Sequence, residues 1–399
     1  MKRVLFTTVF AIIMISLFFT PVAYAEHVDS VAYDYMAEFV TKYERRGNDT
    51  TCTEYLVEKF KSFGLDPFYS SGYTDDFDFA YSANVTYSSK NVAAVKKGNS
   101  SENTVVIGAG YDNVAGWSND ISANGAYLSG SGVGVLLALA EKFSSETFGF
   151  DIVFVCYGAE QMGYCGSGTF LRRLSTEQIK SIILYIDLNS LGAGDNLYMY
   201  CGETERLHES YFKDVGAEAG AKLADIPDDK KIIAVQSDVT GLPYTHAMLD
   251  SALAYYYAKD INCVGFKSFN WDLEFIGYYR ESASHQNIAY TKNDDLNTLA
   301  QYYGDDAKVK MNDVVSTVSA GLSKDSFLQT MKDSALNIKK QDFTVWRILY
   351  AVAVGLIFVL IIVLLIMKNK VGHTDNNNTV GQNETFENKD ENVFDEFGI

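Results

Sequence analysis

The chain has 399 residues, 47% of them hydrophobic, and a formal net charge of −18. That size allows one large domain or two small ones plus extra segments. The acidic balance excludes a nucleic-acid partner gripped through its phosphates, and its plain reading is the solubility of an exported surface.

Lys2 and Arg3 precede the apolar run Val4 to Phe19, and Ala23-Tyr24-Ala25 follows with small residues at cleavage spacing. This reads as a secretory signal, residues 1–25, removed after Ala25. Ser30 to Tyr43 and Thr51 to Phe63 carry apolar residues at helical spacing, and the second run stops at Gly64. Asp66 to Ser89, rich in Tyr, Ser, Asp and Gly, is expected to be a loop with short strands. From Asn91 the pattern alternates. Strands are expected at 92–95, 105–107, 152–155, 182–186, 232–235 and 264–266. Helices are expected at 132–143, near Phe170, at 207–224 and at 313–332. Such alternation predicts an α/β fold with a mostly parallel central sheet flanked by helices.

Ile348 to Met367 is a run of 20 residues without a charge, long enough to span a hydrocarbon core of about 30 Å. The expected order is therefore signal, an extracellular domain over 26–338, a stalk at 339–347, one transmembrane helix at 348–367 and an acidic cytoplasmic tail at 368–399. The Asn-rich tail reads as disordered. Five cysteines, Cys52, Cys156, Cys165, Cys201 and Cys263, show no C-x-x-C spacing, so neither a zinc knuckle nor a redox motif is supported.

Four segments recur in a telling order: Gly108-Ala109-Gly110-Tyr111-Asp112, Gly125 to Gly130, Gly158-Ala159-Glu160-Gln161 and Ile186-Asp187-Leu188-Asn189. Tyr290-Thr291-Lys292-Asn293-Asp294 follows. Over roughly residues 30–330 the chain resembles the di-zinc aminopeptidase family, which also contains glutamate carboxypeptidase, glutaminyl cyclase and the transferrin receptor. The resemblance implies that fold, with zinc ligands at five positions. Gly110 stands where the family has His, Leu128 where it has a bridging Asp, and Gln161 where it has Glu. Asn189 takes the place of a ligand Asp, and Tyr290 that of a second His. Glu160 remains at the general-base position and Asp112 at that of the residue orienting the first His. Asp187 is the nearest remaining carboxylate for a metal.

Zinc is held by imidazole, thiolate or carboxylate. Glycine and leucine donate nothing, and the two amides offer only neutral carbonyls. Tyrosine must ionise against a pKa of about 10. The expectation is a pseudopeptidase with no cofactor, retained for binding a peptide or protein ligand, with Glu160 a vestigial base. The alternative is an active zinc metallo-aminopeptidase with displaced ligands, for which His285 is one candidate. His208 and His246 read as surface or core histidines. Ser129 lacks the nucleophile-elbow register, and Cys156 reads as a structural thiol.

Overall fold

The computed structural model describes residues 28–47, 51–82, 84–117, 123–201, 207–225, 235–236, 243–244, 252–270, 273, 281–340, 352–356 and 359. The signal segment, residues 232–234, His246, most of the 348–367 run and the tail lie outside the described residues. The chain divides into Met1–Ile338 and Lys339–Ile399. In the second unit, residues 352–356 are helical and exposed. Among the described residues no helix is long and apolar enough to cross a membrane.

Helix α1 (Val31–Lys42) opens the fold. The Ser30 hydroxyl caps it by accepting the Tyr33 N–H at 3.1 Å, and Ala32, Met36, Phe39 and Val40 form its buried stripe. Helix α2 (Cys52–Ser62) follows and ends before Gly64, whose φ of 70° suits the turn beyond a helix.

The strands are β1 (Asp66–Pro67), β2 (Thr74–Ser82), β3 (Val85–Lys96), β4 (Thr104–Gly110), β5 (Asp151–Tyr157), β6 (Ile182–Leu188), β7 (Asn196–Tyr200), the small pair β8 (Val235–Gln236) and β9 (Pro243–Tyr244), and β10 (Cys263–Phe269). The main sheet runs β1-β3-β5-β4-β6-β10-β7, with β2 also paired to β3. Strands β5, β4, β6 and β10 are mutually parallel, and every other ladder of this sheet is antiparallel. The expected mostly parallel sheet is therefore a mixed one: its centre is parallel and both flanks are not.

Every residue of β5 is buried, which is why it reads as an unbroken apolar run. Its alternate residues serve two cores. Ile152, Phe154 and Cys156 join the core that holds α1, α2 and the long helix α4 (Ser131–Ser144); α3 is the short Val114–Trp117. Val153, Val155 and Tyr157 face the opposite core with Phe170 of α5 (Cys165–Arg173) and Tyr256 of α8 (Leu253–Tyr257); α6 (Thr176–Ser181) and α7 (Leu207–Glu218) lie between these in sequence.

Three further expectations are corrected. Within 66–89, expected to be a loop with short strands, the chain from Thr74 onward instead forms a long antiparallel hairpin of β2 with β3, because Phe77 and Phe79 alternate with aspartates and the rings of Phe79 and Tyr87 meet across it at 6.0 Å. The helix expected to reach Ala224 stops at Glu218, just before Gly220 at φ 82°. The closing helix is two. After α9 (Leu296–Tyr302), α10 (Asp305–Ser323) ends where Lys324 turns extended, and α11 (Phe327–Lys340) begins afresh. All five cysteines are free thiols.

Candidate functional site

The carboxyl ends of the parallel strands open on a cavity of about 220 Å³, the usual ligand position in such sheets. Gly110 is the last residue of β4, Glu160 and Gln161 lie in the loop after β5, Asp187 is the next-to-last residue of β6 and Asn189 follows that strand. Leu128 sits on a π-helical turn, Ala126–Gly130, before α4, and Tyr290 lies in the segment before α9. All seven line this one cavity. Asp112 does not line it; it is fully buried behind the wall.

Asp112 holds that wall. One carboxylate oxygen accepts the Glu160 N–H at 2.8 Å. The other accepts the Gln161 N–H at 3.0 Å and the Trp117 indole N–H at 2.7 Å. Burial nevertheless pushes its pKa up to about 6. Glu160 in turn accepts the Ser167 N–H at 2.8 Å, in the first turn of α5. Burial drives its carboxyl well above the usual range, and the nearby negative charges of Asp112 and Asp187 add to that. A Cβ placed on Gly110 would stand 3.0 Å from both Cβ and Cγ of Glu160. The Glu160 stem therefore crowds the space through which a side chain at position 110 would leave.

Asp187 lies among tyrosines. It accepts the Tyr185 hydroxyl at 2.8 Å and the Tyr200 hydroxyl at 3.5 Å. Tyr185 stacks on Tyr256 at 3.7 Å, and the Tyr256 and Tyr157 hydroxyls meet at 2.7 Å. Two glycines make room for these rings. A Cβ on Gly108 would fall 2.5 Å from Tyr157, and one on Gly265 would fall 2.4 Å from Tyr200.

The turn carrying Leu128 is held from below. Asp294 accepts the Tyr127 N–H at 2.7 Å and the Leu128 N–H at 3.3 Å, and burial raises its pKa to about 7. Beneath lies the fully buried Arg46, donating to the carbonyls of Tyr43, Tyr111, Asn124 and Gly125 and to the Ser129 hydroxyl. Burial lowers its pKa to about 10. Ser129 is thus bound into the turn and is no nucleophile. Four non-glycine residues with positive φ, Ala159, Tyr164, Ser190 and Tyr290, line the cavity or adjoin lining residues. Such strain gathers at functional sites.

His285 is not at the cavity; it stacks on Tyr302 at 4.7 Å. His208 is a core residue between Ser334 and the Cys263 carbonyl. Cys156 is buried in β5, and burial raises its thiol pKa. The sequence reading overlooked Lys267, which also lines the cavity and is 7% exposed. Its signal was a charge in the otherwise uncharged strand 263–269. Glu281, buried near it, was missed as well.

These residues do not fit two zinc ions. Position 110 brings no donor and position 128 an apolar side chain. Positions 161 and 189 bring neutral amides. Of the two carboxyls that line the cavity among the described residues, Glu160 is driven toward its protonated form and Asp187 already accepts a hydrogen bond from the Tyr185 hydroxyl.

The architecture and the site's framework define the class: a zinc-aminopeptidase-like α/β domain. The chain belongs to peptidase family M28, whose sequence model matches residues 91–301. It is 36% identical over 72 residues to the alkaline phosphatase isozyme conversion protein of Escherichia coli, a stretch covering 18% of this chain and 21% of that protein. Among solved structures, LapA from Legionella is similar with a TM-score of 0.50 at 17% identity, covering 74% of this chain and 73% of that one. The zinc aminopeptidase of Bacillus subtilis gives 0.44 at 20% identity, covering 60% of this chain and 52% of the other. Glutaminyl cyclase from Porphyromonas gingivalis gives 0.49 at 18%, covering 72% and 95%. The chain thus spans about a fifth of its curated relative and about half of the Bacillus enzyme.

Proposed function

We propose that the protein is an exported pseudopeptidase anchored by one membrane helix, a peptidase-family domain kept for binding a peptide or protein ligand. In this reading residues 26–338 lie outside the cell, 348–367 cross the membrane and 368–399 form a cytoplasmic tail. What supports it is a cavity with its supports intact, lined by Gly110, Leu128, Gln161, Asn189 and Tyr290, the residues that stand where the resemblance puts the family's zinc ligands. Without a metal, water stays near its bulk pKa of about 15.7. General-base help is worth only about 10²–10⁴-fold, and a carboxyl held toward its protonated form gives less.

The competing reading, a zinc aminopeptidase with displaced ligands, draws on the presence of Asp187 and Glu160 in the cavity. One experiment separates the two. The purified full-length chain is dialysed against zinc, its metal content is measured, and it is incubated with unblocked peptides. Zinc well below one ion per chain and intact peptides are expected. Near-stoichiometric zinc with release of N-terminal residues would overturn the proposal.

A further inference from the structure

The sheet carries a second cavity at its other end. It encloses about 300 Å³ and opens where β4, β5 and β6 begin, at Thr104, Asp151 and Ile182. Strand β4 runs from one cavity to the other, with Gly110 at the first and Thr104 at the second. Over the seven residues of β4, a rise of about 3.3 Å per residue puts roughly 20 Å between them. Pairing builds the floor. Val95 of β3 sits opposite Val153 of β5, which sits opposite Val106 of β4, so the three side chains share one face of the sheet. Phe170 of α5, Leu174 just after it and Phe68 just after β1 complete the apolar wall. Interiors are close-packed, with few voids larger than a water molecule. Val106 and Val153 are 1% and 3% exposed, so this opening reaches into the core itself.

Two residues nearer the amino ends, the same face turns polar. Asp151 pairs with Thr104 across β5 and β4, and Lys97 follows the end of β3. The Asp151 carboxylate accepts the Lys97 ammonium at 2.8 Å and the Gly98 N–H at 2.9 Å, so the two charges answer each other. Beside them the Thr104 and Ser181 hydroxyls lie 3.1 Å apart, and Ser181 donates to the Gln178 carbonyl at 2.8 Å. A hydroxyl oxygen accepts as well as donates, so an incoming O–H finds an acceptor in Thr104. The exposed Asp66 also lines the cavity, where it would oppose an anionic head.

We propose that this cavity binds a small apolar molecule with one neutral polar head, a medium-chain alcohol by chemical class, its chain along the valine row and its hydroxyl at Thr104. The inference is independent of the reading of the first cavity and holds whether or not that cavity turns over peptides. A volume of about 300 Å³ meets the lower end of the roughly 300–1,000 Å³ that small-molecule sites occupy. A charged head is disfavoured, because Lys97 and Asp151 already hold each other. Burying an ion without a countercharge costs more than burying a hydroxyl.

The test photolabels the full-length chain with an octanol carrying a diazirine and maps the labelled peptides by mass spectrometry. Labelling that excess octanol suppresses is expected on the peptides holding Phe68, Phe170 or Leu174. Octanoate and octylammonium should each suppress it at about tenfold higher concentration. Leu174→Trp, which sets an indole at the half-buried wall, should lose most of the suppressible label. Label confined to residues 348–367, label that octanol does not suppress, or equal suppression by the charged analogues overturns the proposal. So does undiminished labelling in a folded Leu174→Trp chain. Should that variant not fold, competition on the unsubstituted chain still decides.

Discussion

Replacing Asp112 by alanine removes the acceptor for three donors at once: the Glu160 and Gln161 amides and the Trp117 indole. The position is wholly buried, so bulk water does not replace those bonds. A buried donor left without a partner costs about 1–3 kcal/mol. A water entering the vacated space would restore one bond and leave two donors open. The expected loss is therefore about 2–6 kcal/mol, a large part of the roughly 5–15 kcal/mol that holds a domain folded. Urea unfolding of Asp112→Ala beside the parent, followed by circular dichroism, measures it through the midpoint at constant slope. A loss below about 1 kcal/mol would refute the reasoning, since it would mean that the 160–161 loop keeps its shape without this carboxylate.

Stability should rise as pH falls from about 7.5 to about 5, because Asp112 and Asp294 have pKa values of about 6 and about 7 in the fold against an ordinary 3.8. For an acid raised on folding, the native state binds the proton first, so unfolding is opposed more strongly at lower pH until the unfolded chain protonates near pH 4. A melting temperature that falls steadily over that window would contradict the assignment. Gly265→Ala should destabilise by about 1–3 kcal/mol, since its Cβ meets the Tyr200 ring at 2.4 Å; a neutral effect in a denaturant titration would mean that the ring is not fixed there. Arg46→Lys should cost about 3–5 kcal/mol despite keeping the charge, because an ammonium cannot reach the spread of acceptors that the planar guanidinium serves. Full stability of that variant would rule the buried fork out as a support.

The alternating architecture was readable from residues such as Ile152 to Val155, whose burial on both faces leaves no polar alternation to confuse them. Gly110, Gln161 and Asn189 could be assembled because strand ends and the loops beyond them gather at one edge of a parallel sheet. The hairpin over 74–96 was hidden because its aspartates mimic loop composition, while its aromatic pairing exists only across strands. What holds Asp187 was unreadable for a related reason. Tyr200 reaches it from β7, with β10 lying between the two strands, a proximity that no local pattern encodes. Lys267 was a different failure: the signal stood in plain view as a charge among apolar neighbours, and only the position of β10 beside β6 gives it meaning.

The indole of Trp117 is bonded to the carboxylate that grips Glu160 and Gln161, and its ring lies 5.6 Å from both Phe79 and Tyr87. The molecule thereby carries an optical probe wired to the cavity wall. A displacement of the 160–161 loop would reach that chromophore through a single shared carboxylate, so fluorescence can follow events in the pocket without any attached dye.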